Sequence, residues 1–226
     1  MTTSDADPVQ VAVIDDDTIV REGLRVLLPR HRVACTFGQH AEFLARRPAV
    51  DLVILDLNLD GTGRTNVRHG AAAIADIRAV GYPVLIYTNE HRRLVLAGCL
   101  AAGAGGVVHK TQSLQALADA VTAIHAGQTV ITPALTGLAE TVDRYGHLPA
   151  LSPRQRQVLA GRARGQSFRR IASDLGISEK MAHEHMGAVT TKFAEYLRAH
   201  SAADLEHALG LARGDLLQPP APGGPA

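Results

Sequence analysis

Leu52-Val53-Ile54-Leu55-Asp56 is the stretch that most restricts how this chain can fold. Four apolar residues closed by a carboxylate read as a strand covered on both faces, the kind that parallel sheets contain. Its last residue is delivered to the carboxyl edge of the sheet, where open α/β folds place their chemistry. Two similar runs flank it. Val11-Ala12-Val13-Ile14 ends in Asp15-Asp16-Asp17, and Val84-Leu85-Ile86-Tyr87 ends in Thr88. If the three runs are parallel neighbours, several acids and a hydroxyl gather at one rim.

From Val9 onward, strand-like and helix-like patterns alternate. A helix carrying Ile19, Leu24, Leu27 and Leu28 follows the first strand and breaks at Pro29. A second strand spans about Arg32–Phe37, and a short helix, roughly His40–Arg46, stops before Pro48. After the Leu52–Leu55 strand comes a loop rich in Gly, Thr and Arg (Asp60 to Gly70), then a helix over Ala71–Val80. The Val84–Tyr87 strand leads to a helix over about Arg92–Ala102, closed by Gly103-Ala104-Gly105-Gly106. A short strand, Val107-Val108, precedes a helix that Ser113 caps and that reaches about Ala126. Five βα units predict right-handed crossovers and a doubly wound α/β domain over residues 9–128, with helices on both faces.

Residues 129–149 read as a linker, with Pro133 opening a helix to about Asp143. An all-α, four-helix domain is expected over 150–213. Ser152 as cap, Pro153 at the first helical position and Gln155 three residues after the cap form a capping box, and that helix ends at Gly165. Ser167 caps Phe168–Leu175, Ser178 caps a longer helix to about Leu197, and Ser201–Leu211 makes the fourth. The second and third, separated by Gly176-Ile177, form a helix-turn-helix. Residues 214–226, ending Gln218-Pro-Pro-Ala-Pro-Gly-Gly-Pro-Ala226, read as a disordered tail.

A chain of 226 residues suits two small domains. Charge divides between them. Residues 1–128 hold 12 Lys and Arg against 13 Asp and Glu, whereas 151–213 hold 10 against 6. The basic second half points to an anionic partner, nucleic acid among them. Cys35 and Cys99 both sit in apolar elements and read as buried free thiols of a reducing compartment. No apolar run reaches membrane-spanning length and residues 1–8 lack the apolar core of a signal peptide, so no membrane partner and a cytoplasmic location are expected.

Asp15, Asp16 and Asp56 can converge only if the first and third strands are neighbours. Oxygen-only ligands suit Mg²⁺ rather than zinc. With charge neutralised, one carboxylate can act as nucleophile toward a phosphoryl group and become an aspartyl phosphate. Lys110 supplies a cation for the added charge and Thr88 a hydroxyl donor. In this order Asp15-Asp16, Asp56, Thr88 and Lys110 resemble the receiver domain of two-component response regulators, over roughly Val9 to Ala126. The resemblance implies a flavodoxin-like (βα)5 sheet of order 2-1-3-4-5. It further implies that Asp15, Asp16, Asp56 and the backbone carbonyl of Asn58 hold Mg²⁺, that Asp56 is the phosphoacceptor, and that Thr88 and Lys110 contact the phosphoryl group.

Rival motifs overlap Asp56. Asp56 to Gly61 imitates an EF-hand loop, but its twelfth position is Val67 where a bidentate Glu is required. Asn58-Leu59-Asp60-Gly61-Thr62 resembles the haloacid-dehalogenase signature with Asn in place of the nucleophilic Asp, an inert site. Asp17 reads equally as a helix cap, and His109 as a solvated loop residue. The receiver pattern is broken at Val107, where an aromatic residue is usual, and in the loop after Asp56, which carries Asp60, Arg64 and Arg68.

The second domain, from Leu151-Ser-Pro-Arg-Gln through Ile171-Ala172 and Leu175-Gly-Ile-Ser to His185, is similar to LuxR-type helix-turn-helix domains. That similarity implies double-stranded DNA as partner, with the third helix in the major groove. Arg169, Arg170, Lys180 and Lys192 are the candidate phosphate contacts, and His183 and Glu184 the groove-facing positions. Departures from the family pattern stand at His183, Glu184 and Gly187. His183 and His185 face different sides of a helix, which argues against a metal site.

Together these features predict a NarL/LuxR-type transcription factor rather than an enzyme. The resemblance implies that a sensor histidine kinase phosphorylates Asp56 and so controls homodimerisation and DNA binding. One alternative is an atypical regulator whose receiver works without phosphorylation, as an interaction or ligand-sensing module. Another is a helix-turn-helix that binds protein.

Overall fold

A computed structural model describes residues 8–59, 67–144, 148, 149, 151–200 and 204. The expected helix over Ser201–Leu211, the tail 214–226, and the loop residues Asp60 and Arg64 lie outside the described residues, as does the side chain of Arg68. Two compact units divide the chain. One comprises residues up to Glu90 together with Ala102–Val130, the other His91–Ala101 together with residues from Ile131 onward.

The first unit is built on five parallel strands, β1 (Gln10–Ile14), β2 (Arg32–Phe37), β3 (Leu52–Leu55), β4 (Val84–Thr88) and β5 (Gly106–His109), in the order β2-β1-β3-β4-β5. The registers β1 to β3 (Ile14 opposite Leu55) and β4 to β5 (Thr88 opposite His109) bring the strand tips level. Helices α1 (Thr18–Leu27) and α5 (Leu114–His125) cover one face, where Val11, Val13, Leu52, Ile54, Leu85 and Tyr87 join Leu24, Leu117 and Val121 in one buried cluster. The alternating residues Ile14, Val53, Leu55, Ile86 and Val107 are buried on the other face. Helices α2 (His40–Arg46) and α3 (Val67–Ala79) lie there, with Phe43, Ile74 and Ile77 buried. Strands apolar at every position are thus explained by helices on both sides.

Helix α3 and strand β5 extend past their expected limits, and a glycine takes part in each case. Helix α3 starts four residues before Ala71, through Gly70, because a Cβ there would sit 3.2 Å from Leu57 Cδ2. Glycine lets the helix close onto the segment that carries Asp56. Strand β5 takes in Gly106, whose missing side chain admits Val130: an added Cβ would lie 2.7 Å from the Val130 carbonyl. That close approach lets Val130 receive the Val107 amide at 3.0 Å as an extra bridge on the sheet edge.

The second unit consists of α4 (Arg93–Ala101), α6 (Pro133–Arg144), α7 (Pro153–Ala163), α8 (Phe168–Leu175) and α9 (Glu179–Ala199). Helix α4, between β4 and β5 in the chain, packs on α6 and α9. Val95, Leu96, Ala97, Cys99 and Leu100 are all buried, as expected for a helix apolar nearly all round. Serines open the last three helices as the sequence signalled. Ser152 and Gln155 exchange both capping-box bonds, and Ser167 and Ser178 accept from Arg170 N and Met181 N. Gly176 takes the left-handed conformation that ends α8. Leu159, Ile171, Ala182, Val189 and Phe193 fill the core between them. No helix among the described residues is long and apolar enough to cross a membrane.

One histidine tests the first unit's packing. His31 Nε2 donates to the Ala118 carbonyl at 2.9 Å, while Nδ1 is buried with no hydrogen-bond partner among the described residues. Burial, with the positive charges of Arg30 and His125, holds its pKa below the ordinary 6.5, against the pull of the Ala118 carbonyl and Asp119. A depressed folded pKa means that the unfolded chain protonates first. The stability His31 contributes is therefore full above pH 6.5 and is lost as pH falls through that value toward the lower folded one. Urea midpoints measured at pH 8 and pH 5.5 should fall more for the wild type than for His31→Gln.

Candidate functional site

The carboxyl ends of β1 and β3 leave Asp15, Asp16 and Asp56 side by side, with one carboxylate oxygen of each within 4.8 Å of the others. Among the described residues this is the one group of three or more acids, histidines or cysteines close enough to share a metal ion. Asp15 and Asp56 are buried and Asp16 is half-buried. Adjacent strands β1 and β3 place them, as the sequence required.

Lys110 follows β5 and reaches into this group. Its Nζ lies 2.8 Å from Asp15 Oδ2 and 3.0 Å from Asp56 Oδ2, with only 14% of the side chain exposed. The remaining oxygens have backbone donors: Asp17 N to Asp15 Oδ1 at 2.9 Å, and Leu57 N to Asp56 Oδ1 at 2.8 Å. Burial pushes the Asp15 carboxyl above its ordinary pKa; the Lys110 hydrogen bond opposes this and the Asp56 charge adds to it. Burial also works against the Lys110 ammonium, yet its bonds and attraction to Asp15 and Asp56 hold its pKa above the ordinary lysine value. The two upward shifts differ in cause: Asp15 rises mainly through burial, whereas Lys110 rises because Asp15 and Asp56 hold its proton. Three carboxylates lie around one ammonium that touches two of them, so the pocket is short of positive charge.

Thr88, also buried, ends β4 beside Lys110, whose amide donates to the Thr88 carbonyl at 2.8 Å. Its Oγ1 accepts from Glu90 N at 3.2 Å. Asn58 is half-buried, and its side-chain Oδ1 is buried with no hydrogen-bond partner among the described residues. Asp17 caps α1 by accepting from Ile19 N at 2.7 Å. His109 is not the solvated loop residue expected. It ends β5 at 9% exposed, with Nδ1 2.7 Å from Thr111 Oγ1. Val107, at the aromatic position, is buried at 1% exposed. Arg21, which the sequence reading passed over, donates from Nη1 to the Asp15 carbonyl at 2.5 Å and braces the acid loop. Its place one turn into α1, after the acid pair, was the available signal.

An all-oxygen donor set of this spacing fits a hard divalent cation that keeps part of its water shell, and Mg²⁺ suits it.

On the second unit, Arg169 and Lys180 are exposed. Arg170 Nε is 3.1 Å from Asp174, and Lys180 Nζ is 3.9 Å from Glu184, one turn on. Lys192 is drawn inward, donating to Gln155 Oε1 at 3.2 Å. His183 and Glu184 are exposed on the first turns of α9. Sequence reasoning missed Phe168, whose ring stacks on His183 with centroids 3.7 Å apart.

Two family models match the chain. Residues 11–122 match the model of the response regulator receiver domain, and residues 149–207 that of bacterial regulatory proteins of the luxR family. The chain is 28% identical over 193 residues to the nitrate/nitrite response regulator protein NarP of Escherichia coli, covering 80% of this chain and 87% of that one. It is 29% identical over 189 residues to the transcriptional regulatory protein UhpA of the same organism, covering 81% and 91%. In fold it is similar to RcsB from Salmonella enterica serovar Typhimurium, solved bound to promoter P1flhDC with phosphomimetic BeF3⁻. There the TM-score is 0.51 at 21% identity, covering 90% of this chain and 98% of that one.

The charge shortage leads to a test. Lys110→Met leaves buried carboxylates unpaired and should cost about 3–5 kcal/mol in metal-free buffer, read as a lowered urea midpoint. Mg²⁺ at about 100 times its dissociation constant should stabilise the wild type by ~2.7 kcal/mol. Asp15→Asn should largely remove that gain.

Proposed function

We propose, for a chain that belongs to the response regulators joining a receiver domain to a LuxR-type DNA-binding domain, that Asp56 is its phosphoacceptor and that the acid pocket catalyses the transfer. The proposal is carried by one observation: Lys110 Nζ bridges Asp15 and Asp56 in a buried pocket that still lacks positive charge.

Asp56 is held by Leu57 N and Lys110, so its carboxylate is oriented before a donor arrives. One of its oxygens attacks the phosphorus of a phosphohistidine on a sensor kinase. A P–O bond forms, the P–N bond breaks, and the imidazole leaves with its electron pair. Asp15, Asp16, Asp56 and the Asn58 carbonyl would hold Mg²⁺, which when bound would supply positive charge against the phosphoryl oxygens. Lys110 then exchanges its bond to the Asp56 carboxylate for one to a phosphoryl oxygen, and Thr88 turns its hydroxyl to another.

The output is DNA binding by a homodimer, with α9 in the major groove and Arg169, Arg170, Lys180 and Lys192 toward phosphates. Ile19 and Val26 are 82% and 80% exposed, and with Leu27 they line one side of α1 around Gly23. Such a stripe on a helix otherwise packed on the sheet suits a second copy of the chain.

Wild-type protein incubated with acetyl phosphate and Mg²⁺ should gain one phosphoryl group by intact mass, and Asp56→Asn none. No gain on wild type, or an equal gain on Asp56→Asn, would favour the second reading, a receiver acting without phosphorylation. The buried Val107 in place of an aromatic switch is the observation behind that reading. Val26→Glu should leave phosphorylation intact and keep the protein monomeric in size-exclusion chromatography with light scattering, under conditions where the phosphorylated wild type dimerises.

A further inference from the structure

His183 is exposed, yet it is not free to swing. Its ring lies over that of Phe168, with centroids 3.7 Å apart and planes 28° from parallel. Phe168 opens α8 directly after its Ser167 cap, so its own backbone is fixed by the helix start. The guanidinium of Arg162, on α7, sits over the same phenyl ring 4.5 Å from its centroid. Arg162 is anchored in turn, donating from Nη1 to the Gln166 carbonyl at 2.5 Å. Arg162 of α7 and His183 of α9 thus both rest on the Phe168 ring of α8, and His183 remains exposed.

Such a clamp changes what the side chain can do. A lysine at a groove-facing position is a flexible point charge, suited to phosphate. An imidazole held by its face presents ring nitrogens along a fixed direction, and the freedom it would lose on binding is already gone. In the major groove an imidazole N–H meets acceptors on guanine, at N7 and O6. The neighbours suit close approach. One turn on, a Cβ added at Gly187 would meet nothing within 4 Å, and the Glu184 carboxylate lies near Lys180, at 3.9 Å.

We propose that Phe168 is a positioning residue for DNA recognition: it clamps His183 so that the imidazole edge reads one base pair of the bound site, with guanine preferred. The inference rests on the DNA-binding reading above and adds to it the means by which one position is chosen.

Selection from a random duplex library with the full chain, followed by affinities on point-substituted sites at two salt concentrations, tests it. Wild type should prefer guanine at one position on the order of tenfold. His183→Ala and Phe168→Leu should lose that preference at the same position and keep the wild-type salt dependence. Phe168→Tyr, which preserves the stack, should retain it, with circular dichroism confirming the fold of each variant. Unchanged preferences in His183→Ala or in Phe168→Leu overturn the proposal, as does loss of preference in folded Phe168→Tyr. A uniform loss of affinity with a shallower salt slope in His183→Ala would make His183 a phosphate contact and also overturn it. If wild type shows no salt-sensitive retention on any duplex, the DNA-binding reading itself has failed; intact wild-type binding with unaltered variant preferences removes this inference alone.

Discussion

One ammonium stands between two buried carboxylates, and the chemistry of the receiver follows from that imbalance. Lys110 touches Asp15 and Asp56 at hydrogen-bond distance, while Asp16 adds a third acid within 4.8 Å. In water such crowding would cost little, but here the acids are largely screened from solvent and the attraction and repulsion are both strengthened. A pocket left with excess negative charge suits a cation, and under the proposed function that cation would offset the charge of the phosphoryl group. The sheet enforces the crowding. Because β1 and β3 are hydrogen-bonded neighbours in level register, their tips cannot separate without breaking the ladder that buries Val13, Ile14, Ile54 and Leu55.

The same rim limits how the phosphorylation proposed for Asp56 would be passed on. Val107 is fully packed and offers no aromatic ring to swing inward. Thr88, by contrast, holds Glu90 N through Oγ1, and three residues after Glu90 the chain enters α4. A Thr88 side chain that rotated toward a phosphoryl group, as the proposed function requires, would give up that bond and free the segment leading into α4. Helix α4 packs on α6 and α9, the latter being the helix proposed to read DNA. Under the proposed function, the β4 to α4 connection would stand in for the absent aromatic relay.

Much of this was visible in the residues themselves. Uninterrupted apolar runs ending in acids could only be strands covered on both faces, and serines three residues ahead of the amides they cap marked α7, α8 and α9. What escaped notice depends on distant partners. Gly70 looks like a loop residue until Leu57 is placed against it, and Gly106 looks like a turn until Val130 lies beside it. His109 is polar and adjoins Lys110, but β5 carries it into the interior. The pairing of Phe168 with His183 crosses from one helix to the next and has no local periodicity to betray it. Spacing reveals which residues share a face of one element; which face of a second element they meet is decided by packing.

The basic character of residues 151–213 also reads differently once partners are known. Of its arginines, Arg156 is bound to Asp143 at 3.1 Å, Arg170 to Asp174 at 3.1 Å, and Arg162 is committed to Phe168. Lys180 lies near Glu184 and Lys192 is engaged with Gln155. The exposed ion pairs among these are weak and can be exchanged for phosphate, but each exchange releases a carboxylate close to the DNA backbone. Net attraction is therefore smaller than a count of charges implies, and selectivity has to come from directional contacts. A recognition helix with modest charge and a clamped imidazole is consistent with that requirement: less long-range pull, and a narrower choice of base once the groove is entered.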